Sequence, residues 1–563
     1  MFDFSSGKVN NKIVILRPIF NDNFSMKVFR VFFVLATVIL LLVNVHAQEK
    51  AKVIGVTPQD IVVLYDNDVH CAIDGYVGMA ALRDEVLQKT PHVAVVSSGD
   101  FASGDVIGAL SKGEYLIRAM NAVGYDYVTL GNHEFDFGVP HFKALTAQLT
   151  AHVLCCNFQT LPDGKNVFDA YDIKDFGGVK VAFIGVATPA TYSSTSSKTF
   201  VDSEGNYLYS FHTDGLPQWV QQQVDAVRLA GADYVVLLSH LGIDGPSITS
   251  LELIAQTTGI DVVLDGHSHS TIASRQVNDK TGKPVVLTST GTAFANYGAL
   301  IIRDNGTLST VLVPAKEVTE KNAEVQAKID VINAEYKVVA DRVVGHTDVK
   351  LSVYDDAGKR LVRRQESNAG DFVADAFRLT MGTDIGWTNG GGCRKDVPAG
   401  DFTVGKLYGL CSFDSRVVVA SVSGQTLLDA LEMAAHGYPE EFGGFAQVSG
   451  MTYEIDTTIR TSVALTDKKV FIEVTGERRV KNVRIFNQKK EKYQKLKPKK
   501  WYTIASLNFI LLYGGDGMIF NNLHNVQETD IPQQIIIERY IKEHLGGNVG
   551  QQYAKPQGRI QLR

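Results

Sequence analysis

Seven residues in the first half of this chain are candidate ligands for divalent metals: Asp68, His70, Asp100, Asn132, His240, His267 and His269. They fall in five motifs: Asp68-Val-His70, Gly99-Asp100, Gly131-Asn132-His133-Glu134, Leu-Ser-His240-Leu-Gly and Gly266-His267-Ser-His269. Carboxylate, imidazole and amide donors together suit borderline divalent ions, with Zn, Mn, Fe, Co and Mg all admissible. Two such ions about 3.5–4 Å apart clamp a phosphoryl group and lower the pKa of an attacking water. Alone, each motif has a plain reading: an Asp in a turn, a hydrogen-bonded Asn, a satisfied core His. Five in order, each directly after an apolar run, point to one centre.

Those apolar runs are the elements that must position the donors. Short β-rich runs predict strands over 61–65, 93–97, 127–130, 179–186, 234–238, 261–264 and 285–288. Helical spacing falls between them at 79–89, 114–122, 140–149 and 216–229. Alternating strands and helices define a layered α/β domain, expected over 58–318. A stretch rich in Glu, Lys and Ala, 319–340, reads as a linker helix within a 319–343 connection, and a second α/β domain follows over 344–563. Each motif then sits past the C-terminal end of a strand, where α/β sheets place ligands. The two-residue spacing of Asp68 with His70, and of His267 with His269, turns both side chains to one face if the segment is extended.

Bulk composition narrows the partners. The chain has 563 residues, 45% of them apolar and 21% charged, with a net charge of −6. That describes an ordinary globular protein of more than one domain and argues against a nucleic-acid polymer as partner. The basic stretch from Lys481 to Lys500 reads as a solvated hairpin leading into a strand at 501–504. Lys27 and Arg30 precede an apolar run at 31–45 that ends in Val45-His46-Ala47, the pattern of an export signal over 26–47. Residues 1–25 then read as an over-extended start, and the expected location is secreted or periplasmic, with no stable membrane anchor after cleavage. Five cysteines (71, 155, 156, 393 and 411) make no disulfide framework; Cys155 and Cys156 read as strand residues, and the pairing of Cys393 with Cys411 stays open. Oligomeric state is not fixed by the sequence.

Taken together, residues 60–300 resemble the metallophosphoesterase domain of the 5′-nucleotidase family, which includes periplasmic UDP-sugar hydrolases. The resemblance implies a four-layer αββα sandwich. It also implies two divalent ions: Asp68, His70, Asp100 and His269 on one, and Asp100, Asn132, His240 and His267 on the other, with Asp100 bridging. In Gly-Asn-His-Glu-Phe-Asp it makes His133 and Asp136 the catalytic pair and leaves Glu134 structural. A carboxylate three residues on can hold the imidazole's orientation and favour its charged form. Tyr65-Asp66-Asn67-Asp68 stands where the family has His-Thr-Asn-Asp, a departure that touches no ligand.

The resemblance continues to about residue 550. Asn389-Gly-Gly-Gly392-Cys-Arg394 matches the family's Asn-Gly-Gly-Gly-x-Arg. By that match Arg363, Asn389 and Arg394 hold the distal part of a nucleotide, Phe413 and Phe509 sandwich the base, and Asp516 contacts ribose or base. Ser412-Phe-Asp-Ser415 replaces the family's Pro-Phe-Gly-Asn, and Tyr513 offers an alternative stacking ring after a one-residue insertion. The expectation is an exported binuclear-metal phosphohydrolase acting on nucleoside 5′-phosphates by metal-hydroxide attack. Alternatives are a UDP-sugar hydrolase or 2′,3′-cyclic nucleotide phosphodiesterase on the same centre, or a non-catalytic nucleotide-binding surface protein.

Overall fold

Continuous β-branched runs, buried on both faces, become the central strands of two six-stranded sheets. In the computed structural model, residues 55–563 are described except Ser196, Ser203, Gly205, Pro246, Asp467 and Lys468. The expected 1–25 extension and 26–47 signal lie outside the described residues. Among the described residues no helix is long and apolar enough to cross a membrane.

The strands are β1 (Ile61–Asp66), β2 (Val93–Ser97), β3 (Tyr127–Val128), β4 (His152–Val153), β5 (Tyr171–Asp175) and β6 (Lys180–Ala187). They continue with β7 (Tyr234–His240), β8 (Val262–Asp265), β9 (Thr271–Asn278), β10 (Pro284–Thr290), β11 (Asn296–Ile302) and β12 (Leu308–Pro314). One sheet has the order β12-β11-β1-β2-β3-β4, the other β9-β10-β8-β7-β6-β5. Period-two alternation on β6 sends Val181 and Phe183 between the sheets, where they meet Ile61, Val63 and Tyr65 of β1. It sends Ala182 and Ile184 to the far side, against Val220, Val224 and Val227. Those valines lie on a helix, so the second sheet is covered outside.

The helices are α1 (Gly75–Leu87), α2 (Glu114–Val123), α3 (Leu216–Leu229), α4 (Ser250–Gln256) and α5 (Ala323–Ala340). Helices α1, α2 and α5 pack on one another beside the first sheet, while α3 and α4 cover the second. The layers therefore run αββα. Helix α5 starts four residues later than the composition of 319–340 suggests, because the Asn322 side chain accepts from Val325 N at 2.8 Å and caps it. Strand β3 stops at Val128, and Cys155 and Cys156 lie buried just beyond β4 rather than in it.

The second domain is built on β13 (Ile385–Asn389), β14 (Arg416–Ser423), β15 (Ala446–Ser449), β16 (Trp501–Leu507) and β17 (His524–Pro532), in the order β15-β13-β16-β14-β17. Helix α6 (Asn368–Met381), capped by Ser367, is buried continuously from Asn368 to Phe377. The basic segment forms the expected hairpin, Val480–Asn487 paired antiparallel with Lys492–Lys495.

The C-terminus is fastened by a buried ion cluster. Asp375 on α6 accepts from Arg559 Nη2 and Tyr553 Oη, each at 2.7 Å, and from Ser449 Oγ. Asp375→Ala would leave the buried Arg559 guanidinium only the more distant Asp371 carboxylate, 3.6 Å from Nε, so a loss of about 2–4 kcal/mol is expected in urea unfolding. A loss under about 1 kcal/mol would show the cluster to be dispensable.

Candidate active site

Strand register brings the motifs together. Along the first sheet Asp66 pairs with Ser97, and Ser97 with Val128, in parallel. Asp68, Asp100 and Asn132 follow that aligned row by two, three and four residues, so their loops leave the sheet side by side. Along the second sheet Asp265 pairs with Ser239, and His267 and His240 emerge just beyond that pair. The donors therefore meet over the C-terminal edges of both sheets.

Convergence does not come from extended backbone, as the two-residue spacings suggested. Asp68, His70, Asp100, His267 and His269 have φ of 50°, 44°, 57°, 75° and 53°. Non-glycine residues in the left-handed region cost on the order of 1 kcal/mol or more each, and such strain gathers at functional sites. Gly131 is needed for a separate reason: a Cβ there would stand 2.1 Å from Asp100 Oδ1.

The donors form interlocking groups. Ligand atoms of Asp68, His70 and His269 lie within 4.8 Å of one another, as do those of Asp68, Asp100 and His240. Asn132 Oδ1 sits 2.9 Å from His267 Nδ1, and the His267 amide donates to Asp68 Oδ2 at 2.9 Å. His70 Nδ1 bonds the Ser103 carbonyl at 3.1 Å and His240 Nδ1 the Ser98 carbonyl at 2.6 Å. In the neutral rings both lone pairs are then on Nε2 and turned into the cluster.

A cation fits what these lone pairs face. His240 Nε2 is buried and lies 3.1 Å from Asp100 Oδ2, yet it makes no hydrogen bond. His70 Nε2 and His269 Nε2 are 2.9 Å apart, with Asp68 Oδ1 3.8 and 3.6 Å away. Burial drives His70 and His267 down to about 4, keeping them neutral as metal ligands must be. Burial also opposes charge on His240, but Asp100 and Asp68 overcome it and lift that ring to about 10. Burial pushes Asp68 up to about 7 even with His240 nearby. Two buried carboxylates that lift the charge on His240, beside the neutral His70 and His267, make a site that suits positive charge.

Beside the cluster stands a pair of another kind. His133 Nδ1 lies 2.8 Å from Asp136 Oδ2, and its ring centroid is 5.2 Å from that of His70. Burial works against a charged His133, and Asp136 and Asp100 outweigh it, raising the ring to about 10. The resemblance leaves Glu134 structural, and its contacts show what it holds. Its carboxylate accepts the amides of Asp100 at 2.8 Å, Phe101 at 2.8 Å, Ala102 at 3.1 Å and Gly131 at 2.6 Å. Asn67, Ser98 and Ser103 support the site and were not singled out from the sequence; nothing local marks them. Asn67 donates to Asp68 Oδ2 at 2.7 Å and accepts from Thr290 N at 2.8 Å.

The six expected substrate residues of the second domain share one cavity of about 220 Å3. Arg363, Asn389, Arg394, Phe413, Phe509 and Asp516 line it, with Ser103, Asp136 and Phe137 of the first domain. Tyr513 lines it too, so both aromatic alternatives face the same space. Asn389 donates to Asp516 Oδ2 at 2.7 Å, while Asn389 Oδ1 and Arg363 Nε are buried without partners. Burial, with Arg360 and Arg394 close by, holds the Arg363 guanidinium below its ordinary range. The Arg394 guanidinium lies 5.5 Å from the centre of the Phe413 ring. Converging guanidinium groups that make no close ion pair among the described residues, with Asp516 and Glu441 only near Arg363, suit an anion. Cys393 and Cys411, one beside Arg394 and the other beside Ser412, are free and buried.

Residues 62–271 match the calcineurin-like phosphoesterase model, and residues 343–523 match the 5′-nucleotidase C-terminal domain. The chain belongs to the 5′-nucleotidase branch of the calcineurin-like phosphoesterases, a family of hydrolases whose chemistry uses divalent metals. It is 28% identical over 442 residues to the trifunctional nucleotide phosphoesterase YfkN of Bacillus subtilis, covering 70% of this chain but only 29% of that protein. It is 24% identical over 564 residues to the 5′-nucleotidase of Bos taurus, covering 90% of this chain and 91% of that one. The 5′-nucleotidase precursor of Thermus thermophilus shares the fold, with a TM-score of 0.66 and 24% identity over 89% of this chain and 99% of its own.

Proposed function

We propose that this chain is an exported phosphohydrolase that releases phosphate from nucleoside 5′-phosphates. Two divalent ions would be held by Asp68, His70, Asp100 and His269, and by Asp100, Asn132, His240 and His267. The observation that carries the reading is the shared cavity: Asp136 of the His133 pair and the anion-seeking Arg363 and Arg394 line one space from opposite domains.

When bound, the ions supply Lewis acidity toward phosphoryl oxygens and lower the pKa of the attacking water. The residues of this chain do the rest. Asp68 and Asp100 provide the negative charge that retains the cations, and carbonyl contacts from Ser98 and Ser103 fix which nitrogen of His240 and His70 faces inward. His133, kept charged by Asp136, stabilises charge that develops on the phosphoryl or leaving oxygen. Arg363 and Arg394 hold the distal nucleotide, and Phe413 with Phe509 or Tyr513 offers ring faces to the base. Export is supported by the basic residues and apolar run that precede Ala47.

The test is hydrolysis by the purified protein of AMP, ADP, UDP-glucose and 2′,3′-cyclic AMP, read both as free phosphate and as nucleoside or nucleotide product, with added Mn or with EDTA. The expected outcome is release from AMP that EDTA abolishes and a divalent ion restores. UDP-glucose and the cyclic nucleotide belong in the panel because Ser412-Phe413-Asp414-Ser415 alters the pocket floor. Preference for either would move the assignment to that substrate class. Nucleotide binding without hydrolysis of any of them, by either readout, would favour the binding-protein alternative.

A further inference from the structure

We propose that Ser103 is a positioning residue for this reaction: its hydroxyl fixes the Asp136 carboxylate that orients His133. Ser103 Oγ donates to Asp136 Oδ2 at 2.7 Å, and His133 Nδ1 meets the same oxygen at 2.8 Å. One donor alone would leave Asp136 able to turn toward the cavity it lines. Two donors converging on one oxygen remove that freedom and hold the imidazole beside the metal donors.

The hydroxyl can do this because its own backbone is fixed. Glu134 binds the amides of the three preceding residues, Asp100, Phe101 and Ala102. The Ser103 carbonyl takes His70 Nδ1 at 3.1 Å. Gly104 follows at φ 129°, where a Cβ would come within 2.6 Å of His70 Nδ1, so the chain wraps tightly around that ring. Ser103 is therefore a shared post: its carbonyl sets the tautomer of a candidate metal ligand, and its hydroxyl sets the catalytic pair. Glu134 and Asp136 grip the same loop from one motif, which couples the geometry of the metal cluster to that of His133.

The inference rests on the proposed phosphohydrolase reading, and the experiment separates the two. Ser103→Ala, Ser103→Thr, Asp136→Ala and the double variant are assayed with Mn on AMP and on para-nitrophenyl phosphate, an ester with no nucleoside. Losing a hydrogen bond to a charged group should lower kcat about 5- to 30-fold, with KM within about twofold and metal content unchanged. Threonine, which keeps the hydroxyl, should recover kcat to within about threefold of the parent, and in the Asp136→Ala background Ser103→Ala should cost less than about twofold more. Ser103→Cys, nearly isosteric and a weak donor, gives the same readout should the alanine variant fail to fold. An equal loss in both backgrounds, or a kcat unchanged by Ser103→Ala, overturns the role. Turnover of the nitrophenyl ester alone would fail the nucleotide reading while still reporting on Ser103; turnover of neither would overturn both.

Discussion

Replacing His133 by alanine is expected to lower kcat for phosphate release about 10²- to 10⁴-fold, the range spanned by positioned acid–base groups. The substitution removes the one imidazole of the cluster that is tied to a carboxylate outside the metal donors, through Nδ1 and Asp136 Oδ2 at 2.8 Å. His133 also contributes its backbone amide to Asp100 Oδ1 at 2.8 Å, and alanine keeps that bond. Bound metal should therefore be retained, and KM should move far less than kcat, as for an interaction made mainly in the transition state. Elemental analysis of the variant beside steady-state kinetics checks both halves. Loss of metal together with activity would make His133 a ligand rather than a charge-stabilising group.

Glu134→Ala is expected to have the largest effect on stability of any single change at the site. The side chain is 2% exposed and accepts four backbone amides from two loops. Each buried amide left without an acceptor costs about 1–3 kcal/mol, and water entering the gap recovers part, so a net loss of about 3–5 kcal/mol follows. The loops released carry Asp100 and Asn132, so metal retention should fall with stability. Glu134→Gln keeps one acceptor oxygen but turns an amide toward the N–H groups, and it should fall between parent and alanine. Urea unfolding with and without Mn measures the effect; a loss below about 1 kcal/mol would show the amides satisfied in some other way.

Much of this architecture is legible because the central strands are continuous apolar runs. Residues 93–97 and 216–229 have the same bounds in sequence and structure, since both ends carry strong polar or glycine signals. Strands β5, β9, β11 and β12 have no counterpart among the predicted runs; of these Thr271–Asn278 is an edge strand, largely exposed, with no apolar alternation to mark it. At the site, the structure brings the seven expected donors close together and adds the His133 ring, which forms a candidate group with His70 and Asp100. Their backbone was not legible, because Asp68, His70, Asp100, His267 and His269 occupy left-handed conformations that tertiary contacts impose. The partners of those donors were hidden for the same reason. Ser98 and His240 are 142 positions apart, and Ser103 and Asp136 are 33 apart. Only the fold makes them neighbours.

The proposed two-ion centre is joined to the proposed nucleotide cavity through His133 and Asp136, the second of which lines it. Its most direct test is anomalous scattering from crystals grown with Mn and a non-hydrolysable nucleotide analogue. Two Mn peaks are predicted with Asp100 between them, one beside Asp68, His70 and His269 and the other beside Asn132, His240 and His267. The analogue should lie among Arg363, Arg394 and Phe413. A single peak, or an analogue bound away from Asp136, would rule out this two-ion nucleotide site.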